Sequence, residues 1–206
     1  TGLTQGFSIQ LSQYYGAKDF ENLRKSLAHS YRLTAFIAAG VLILSQSFAS
    51  LVLTGLHTPS NIIGMSLLYL RIIFCGIPAT AAYNMFASAL RAMGNSKTPL
   101  TAMIIASVLN VSLDILFVAG FGWGVAGAAI ATVIAQSFSA VYCFLILRRI
   151  DIVHLTRADF MPASGMNARL MKLGIPVVFQ NIIIGVGGLV VQYVINGYGF
   201  LFVAGF

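Results

Sequence analysis

Asp114 is the single acidic residue inside the long apolar stretches of this 206-residue chain. An ionisable side chain at membrane depth is costly to maintain, so it points to a function. Asn110 lies four residues earlier on the same helix face, and Thr132 lies at similar depth on the next predicted helix. Carboxylate, amide and hydroxyl oxygens suit Na⁺, and a carboxylate with such neighbours can instead hold a proton. We therefore expect these three residues to form a cation or proton site, against the alternative of a structural network around a buried carboxylate.

Two glutamines add polar groups to the same apolar segments. Gln136 lies one helical turn beyond Thr132, and Gln180 lies in the last long apolar segment. We expect both to line an internal cavity, because a polar group in hydrocarbon needs a partner. Arg71 is the one basic residue within an apolar stretch. We expect it at the membrane surface with its charge in water, rather than in a polar path through the protein.

The motifs of soluble enzymes are missing from the sequence. It contains no H-E-x-x-H, no G-x-S-x-G and no phosphate-binding P-loop, and one intramembrane acid cannot form a carboxylate pair. Residues 122–127 match the dinucleotide fingerprint G-x-G-x-x-G, but they join two membrane-length segments instead of a strand and a helix. We therefore predict a protein that is not an enzyme and that has no cofactor or dedicated metal site.

The composition predicts an all-α integral membrane protein. Hydrophobic residues make up 58% of the chain and charged residues only 8%, against about a quarter charged in soluble domains. Four stretches without any charge are each about as long as one bilayer crossing, roughly 20 residues, or longer. The predicted helices are the tail of one helix at 1–14, followed by 30–53, 62–90, 99–120, 125–147 and 171–197.

The basic residues are sorted to one side of these helices. Eleven of the twelve lysines and arginines fall in the loops 15–32, 91–98 and 148–172, and the turns 54–61 and 121–124 carry none. The positive-inside rule then places loops 15–29, 91–98 and 148–170 in the cytoplasm of a multi-pass plasma-membrane protein. This sorting also explains the net charge of +7 without a nucleic-acid partner.

The chain starts without a methionine, on an apolar segment too short to cross a bilayer, and it ends in apolar sequence. Both ends are therefore expected to be cut, so that the chain is a fragment of a longer protein.

Several segments resemble the MATE (multidrug and toxic compound extrusion) family, and they occur in the family's order. The most recognisable is LNVSLDILFV followed by GWGVAGAAIATVIAQ, which resembles helices five and six. The others are GFSIQLSQYYGAKD, similar to the end of helix two, YLRIIFCGIPATAAYNMFASALRAMGNSKTP, similar to helix four and its loop, and KLGIPVVFQ with INGYGFLFVAGF, similar to helix seven.

The resemblance implies part of a twelve-helix, two-lobe transporter bundle, from the end of helix two to helix seven. Residues 1–147 would belong to the amino-terminal lobe, 148–170 would form the cytoplasmic loop between the lobes, and 171–206 would contain the first helix of the second lobe. Members exchange Na⁺ or H⁺ for organic, often cationic, compounds by alternating access. The full-length protein would be a monomer in the lipid bilayer.

The resemblance also assigns site residues. In the DinF-like branch, an Asn and an Asp on helix five and a Thr on helix six form the cation site, and Asn110, Asp114 and Thr132 match that pattern. The NorM-like branch has an acid on helix seven, where this chain has Gln180 as its nearest polar group. The DinF-like branch is therefore favoured.

Three other interpretations stay open at this point. A lipid-linked oligosaccharide flippase of the same superfamily would share the helices and the charge sorting. A membrane-embedded enzyme would need a catalytic cluster outside this sequence. A truncated product would have no activity.

Overall fold

The computed structural model describes residues 2–55, 62–161 and 165–197, and these residues contain no β-strand. Residues 56–61 of the predicted turn at 54–61 and the segments 162–164 and 198–206 lie outside the described residues. The described helices are α1 (Gly2–Gly16), α2 (Phe20–Gly55), α3 (Ile63–Cys75), α4 (Ile77–Ala92), α5 (Lys97–Asp114), α6 (Gly124–Arg148) and α7 (Met166–Gly197).

Among the described residues, five helical segments are long and apolar enough to cross a membrane, which confirms the prediction of an all-α integral membrane protein. They are Phe20–Gly55, Ile62–Ala92, Lys97–Gly120, Gly124–Arg148 and Met166–Gly188. Large apolar side chains such as Phe36 and Ile183 are 80% and 70% exposed on their surfaces. A bilayer covers such side chains, whereas a soluble monomer rarely exposes a continuous apolar surface of this size.

The helix α2 begins well before its apolar part, so the predicted charged loop at 15–32 is wrong. Only residues 17–19 separate α1 from α2, which has 36 residues and a length of about 54 Å. Asp19 starts α2, because its carboxylate accepts hydrogen bonds from the backbone N–H and the side-chain amide of Asn22. The bond from the Asn22 side-chain amide, and after it the bond from the Asn22 backbone N–H, hold the pKa of the Asp19 carboxyl below its usual value. Glu21 and Lys25, at i and i+4, form an ion pair of 2.6 Å that suits a helix outside the bilayer.

The predicted helix at 62–90 is interrupted at Gly76, which separates α3 from α4. A Cβ atom at Gly76 would lie 2.8 Å from Cγ2 of Val133 on α6, so a side chain there would push the helices apart. Pro78 follows in the first turn of α4, where its missing N–H breaks no helical hydrogen bond. The interruption therefore lies at a point where the span packs closely against α6.

The connections 17–19 and 93–96 and the segment 149–161 lie at one end of the bundle, called here the basic end. The last of them contains two short 3₁₀ turns, Asp151–Val153 and Arg157–Phe160, packed against α2. The buried core is concentrated near this end, where α1, α2, α4, α6 and α7 converge. Its large members are Phe7, Leu11, Leu23, Leu27, Met85, Leu90, Leu147 and Leu170.

The segment after α6 is fixed to α2 by buried polar contacts. His29 is 1% exposed, and its Nε2 lies 3.1 Å from the Met161 carbonyl oxygen while its Nδ1 lies 2.8 Å from the Asn167 side chain. Arg24 lies 3.9 Å from the buried carboxylate of Asp159. These contacts hold the loop and the start of α7 against the basic end of α2.

The helices α1 and α7 cross with their backbones almost in contact. A Cβ atom on Gly6 would lie 2.3 Å from the Cα atom of Gly174, closer than any side chain allows. Gly174 is itself buried against Leu3 and Phe7 of α1. Small residues at a helix crossing permit close packing in a membrane, where association depends on van der Waals contact.

Candidate functional site

The helices α5 and α6 are antiparallel and are joined at the end opposite the basic end. The π-helical segment Ile115–Gly120 continues α5, and the Phe121 N–H bonds the Leu116 carbonyl oxygen five residues earlier at 2.9 Å. The rings of Phe117, Phe121 and Trp123 pack together with centroid distances of 5.1 to 6.1 Å. The turn then passes through Gly122, whose φ of +68° favours glycine. Isolated π turns occur frequently at functional sites.

Asn110 and Thr132 are in contact across the α5–α6 interface. The Asn110 Nδ2 donates to the Thr132 Oγ1 at 3.4 Å, and the Thr132 hydroxyl donates to the Ala128 carbonyl oxygen at 3.0 Å. The hydroxyl proton is therefore committed to the backbone. The side-chain Oδ1 of Asn110 and a second lone pair on the Thr132 hydroxyl stay available as acceptors.

Asp114 is the last residue of α5, one turn beyond Asn110 and directly before the π-helical segment. Its Oδ1 is buried, and among the described residues it has no hydrogen-bond partner. In the described part of the chain, no side-chain hydrogen bond joins Asp114 to Asn110 or Thr132. A buried carboxylate oxygen without a partner is costly, and a proton or a cation would satisfy it.

A cavity of about 330 Å³ lies between α4, α5 and α6 and contains the Asn110–Thr132 pair; we call it the α5/α6 cavity. Gln136 lines it, whereas Asp114 does not. All of its polar lining side chains are uncharged. The lining residues with polar side chains are Thr80, Tyr83, Asn84, Ser107, Asn110, Thr132, Gln136 and Ser139.

Two residues of α4, Thr80 and Asn84, belong to this site although the sequence did not single them out. The Thr80 hydroxyl is hydrogen-bonded to Oε1 of Gln136, and the Asn84 Nδ2 donates to the Thr80 carbonyl oxygen at 2.8 Å. Their spacing of four residues in an otherwise apolar segment puts both on one helix face. That spacing is the sequence feature that could have identified Thr80 and Asn84 as site residues.

A second cavity of about 320 Å³ lies on the other side of Thr80, Asn84 and Gln136, and we call it the α1/α2 cavity. Its lining is mainly apolar, with the hydroxyls of Thr4 and Thr34 among the few polar groups. The two cavities therefore share one wall. An apolar cavity with a few polar groups is typical of a site for small organic molecules.

Gln180, the other predicted cavity residue, lies on α7 with its side chain exposed. It lines neither of the two cavities. The described residues also contain no group of three or more His, Cys, Asp or Glu side chains that could hold a metal ion. The neighbouring Asn181 instead donates to the Gln5 side chain of α1 at 3.3 Å.

The chain matches curated multidrug resistance and multidrug export proteins along nearly all of its length. The MatE family model matches residues 1–116, more than half of the chain. Probable multidrug resistance protein YpnP of Bacillus subtilis (strain 168) is 33% identical over 205 residues, which cover 100% of this chain and 46% of that protein. Multidrug export protein MepA of Staphylococcus aureus (strain NCTC 8325 / PS 47) is 25% identical over 197 residues, 94% of this chain and 43% of that protein. The chain thus spans less than half the length of these relatives.

Solved structures have the same fold. A MATE protein in its straight conformation superposes with a TM-score of 0.86 at 23% identity, over 96% of this chain and 44% of that one. The inward-facing structure of a multidrug resistance MATE family transporter of the MOP superfamily gives a TM-score of 0.80 at 25% identity, over 85% of this chain and 40% of that one. From these sequence and structural matches, we conclude that the chain belongs to the MatE family, a family of multidrug transporters rather than of enzymes.

Proposed function

We propose that the full-length protein is a secondary active antiporter that exchanges Na⁺ or H⁺ for organic, often cationic, compounds by alternating access. It works as a monomer of the DinF-like branch in the plasma membrane. Residues 1–147 belong to its amino-terminal lobe, 148–170 connect the lobes, and 171–206 begin the second lobe. The names of the curated relatives as multidrug resistance and export proteins support this proposal. So do solved members of the fold in inward-facing and outward-facing conformations.

The observation that carries the proposal is the buried, unpartnered Oδ1 of Asp114. It lies one turn from Asn110, which is paired with Thr132. A proton or Na⁺ supplies the missing partner, so binding of either is favourable at this position. The amide and hydroxyl oxygens nearby complete a site of oxygen ligands suited to a hard cation.

The shared wall of the two cavities offers a route from the ion to the organic compound. Thr80 and Gln136 connect α4 to α6, and α6 also carries Thr132. A change at the ion site can thus alter the wall of the α1/α2 cavity, which has the size and apolar lining for part of an organic molecule. Binding linkage is reciprocal, so the compound must change the affinity for the ion by the same factor.

The test replaces Asp114 with asparagine in the full-length protein. We expect Asp114→Asn to abolish efflux of a cationic dye from proteoliposomes that carry a Na⁺ or pH gradient, because the ion loses its carboxylate. Asp151→Asn is the matched control, since Asp151 is an exposed acid on the loop after α6. Expression level and the folded fraction should be equal in both variants.

Wild-type efflux by Asp114→Asn would contradict the proposed ion site. A protein that moves a fluorescent lipid-linked sugar but no dye would instead be a flippase of the same superfamily, and the antiporter proposal would be withdrawn. Imposing the two gradients separately decides between Na⁺ and H⁺ as the coupling ion.

A further inference from the structure

A third cavity, of about 290 Å³, lies at the basic end and takes no part in the proposed ion or drug sites. Tyr31 in the first third of α2, the end of α6 and the loop with the two 3₁₀ turns line it, and we call it the basic-end cavity. Its interior is mainly apolar. The lining residues are Tyr31, Phe144, Leu147, Arg148, Val153, His154, Leu155 and Phe160.

The cavity lies at the depth of the lipid headgroups. Arg148 is the last residue of α6, which has 25 residues and a length of about 37 Å. The hydrocarbon core of a bilayer is only about 30 Å thick, so a helix of this length reaches the polar region of the membrane. The loop beside the cavity also exposes two large apolar side chains, Phe160 at 42% and Met161 at 67%. Lipid rather than water suits these side chains.

Cationic side chains surround the cavity. The Arg148 guanidinium carbon lies 5.6 Å from the centre of the Phe144 ring, which is part of the lining. The Arg32 Nη1 donates to the carbonyl oxygen of Phe160, another lining residue, at 3.5 Å. Both arginines are exposed, and neither forms an ion pair with any described residue.

The acidic groups nearby do not cancel this charge. Asp159 is buried, accepts hydrogen bonds from the backbone and hydroxyl of Thr156, and lies 3.9 Å from Arg24. Asp151 is fully exposed and lies 3.8 Å from the ring of His154. The cavity therefore combines apolar walls with two arginines that have no acidic partner in the described structure.

We propose that the basic-end cavity binds an anionic phospholipid of the adjacent leaflet. Arg32 and Arg148 bind the phosphate, and the apolar walls contact the first part of one acyl chain. The volume equals about ten water molecules at roughly 30 Å³ each, so it holds the glycerol region and a short length of chain while the rest of the lipid stays in the bilayer. Basic pockets between membrane helices are suited to such headgroups. A small soluble anion would use the arginines but leave the apolar walls unoccupied.

The test measures lipid retention by the purified full-length protein with native mass spectrometry. The probes are phosphatidylglycerol and phosphatidylcholine with identical acyl chains, and inorganic phosphate is added as a competitor. We expect the wild type to retain phosphatidylglycerol in preference to phosphatidylcholine, and phosphate not to displace it. The double variant Arg32→Gln/Arg148→Gln should bind phosphatidylglycerol about 30-fold more weakly, equivalent to about 2 kcal/mol for two cationic side chains.

The matched control is Arg91→Gln/Lys97→Gln, which removes two exposed positive charges at the same end, away from the cavity. It should keep wild-type retention. A second variant, Leu155→Trp, fills the apolar part and should weaken phosphatidylglycerol binding with both arginines in place. Equal retention of the two lipids by the wild type, displacement by inorganic phosphate, or an equal loss in the control variant would each overturn the proposal. None of these outcomes depends on dye transport.

Discussion

At the scale of single residues, the direction of the hydrogen bonds around Thr132 decides what the site can bind. The Thr132 hydroxyl donates to the Ala128 backbone carbonyl and accepts a hydrogen bond from the Asn110 side-chain amide. The hydroxyl oxygen of Thr132 and the side-chain Oδ1 of Asn110 can therefore only accept further hydrogen bonds. A proton on Asp114 or a bound cation complements such acceptors. This arrangement would not suit an anion.

Substitutions at Thr132 should separate the role of its oxygen from that of its shape. Thr132→Val keeps the branched side chain and removes the hydroxyl, so we expect ion affinity to fall about 5- to 10-fold, as for the loss of one hydrogen bond of about 1 kcal/mol. Thr132→Ser keeps the hydroxyl and should stay close to wild type. The measurement is the Na⁺ or proton concentration at half-maximal dye efflux by the full-length protein. If the valine and serine variants behave alike, Thr132 is not an ion ligand.

Part of this site follows from sequence spacing, and part does not. Asn110 and Thr132 could be paired in advance because α5 and α6 are joined by a short turn, which fixes their relative depth. The position of Thr80 and Asn84 in the site could not be predicted in this way. It depends on how α4 packs against α6, and the two helices are far apart in the chain. The contact between Asn110 and Thr132 is present, while their role with Asp114 in ion binding stays a prediction.

At the scale of helices, the close crossing of α1 and α7 at Gly6 and Gly174 has a measurable consequence. Gly6→Ala would place its Cβ atom 2.3 Å from the Gly174 backbone, which has no flexible side chain to move away. We expect a loss of about 1–3 kcal/mol from overpacking, or roughly 2–4 °C in Tm for each kcal/mol, in the detergent-solubilised full-length protein.

Gly40→Ala is the matched control for this prediction. Gly40 lies within α2, and a Cβ atom there would meet nothing within 4 Å. Alanine has the higher helix propensity, so this variant should melt at the same or a higher temperature. An unchanged Tm for Gly6→Ala would mean that α1 and α7 are not in close contact in the full-length protein.

The helices themselves show what an apolar pattern predicts. The apolar runs in the sequence located every membrane-spanning segment among the described residues, because a bilayer crossing needs about 20 apolar residues. They misplaced the start of α2, since the charge at residues 18–32 marks the edge of the hydrocarbon and not the end of the helix. The interruption at Gly76 also escaped the pattern, because it reflects the approach of Val133 from another helix.

At the scale of the whole molecule, the sorting of basic residues predicts the orientation in the membrane. In a background without Cys75 and Cys143, we expect Ser96→Cys at the basic end to resist an impermeant thiol reagent added to intact cells. Thr54→Cys, an exposed position at the opposite end of α2, should react and serves as the control. Membrane permeabilisation should expose Ser96→Cys to the same reagent. Labelling of Ser96→Cys in intact cells would reverse the orientation.

The π-helical segment after Asp114 has a consequence for how relatives of this chain should be aligned. Its bond from Phe121 to Leu116 spans one residue more than an α-helical bond, which is equivalent to a single-residue insertion into an uninterrupted α-helix. A relative without that insertion would show a one-residue gap between Asp114 and Phe121. The last residues of that helix and the start of the turn to α6 would then be rotated by about 100°, since an α-helix has 3.6 residues per turn. The spacing of Asn110 and Asp114 would be unaffected, so the length of this short segment can diverge while the ion-site residues keep their register.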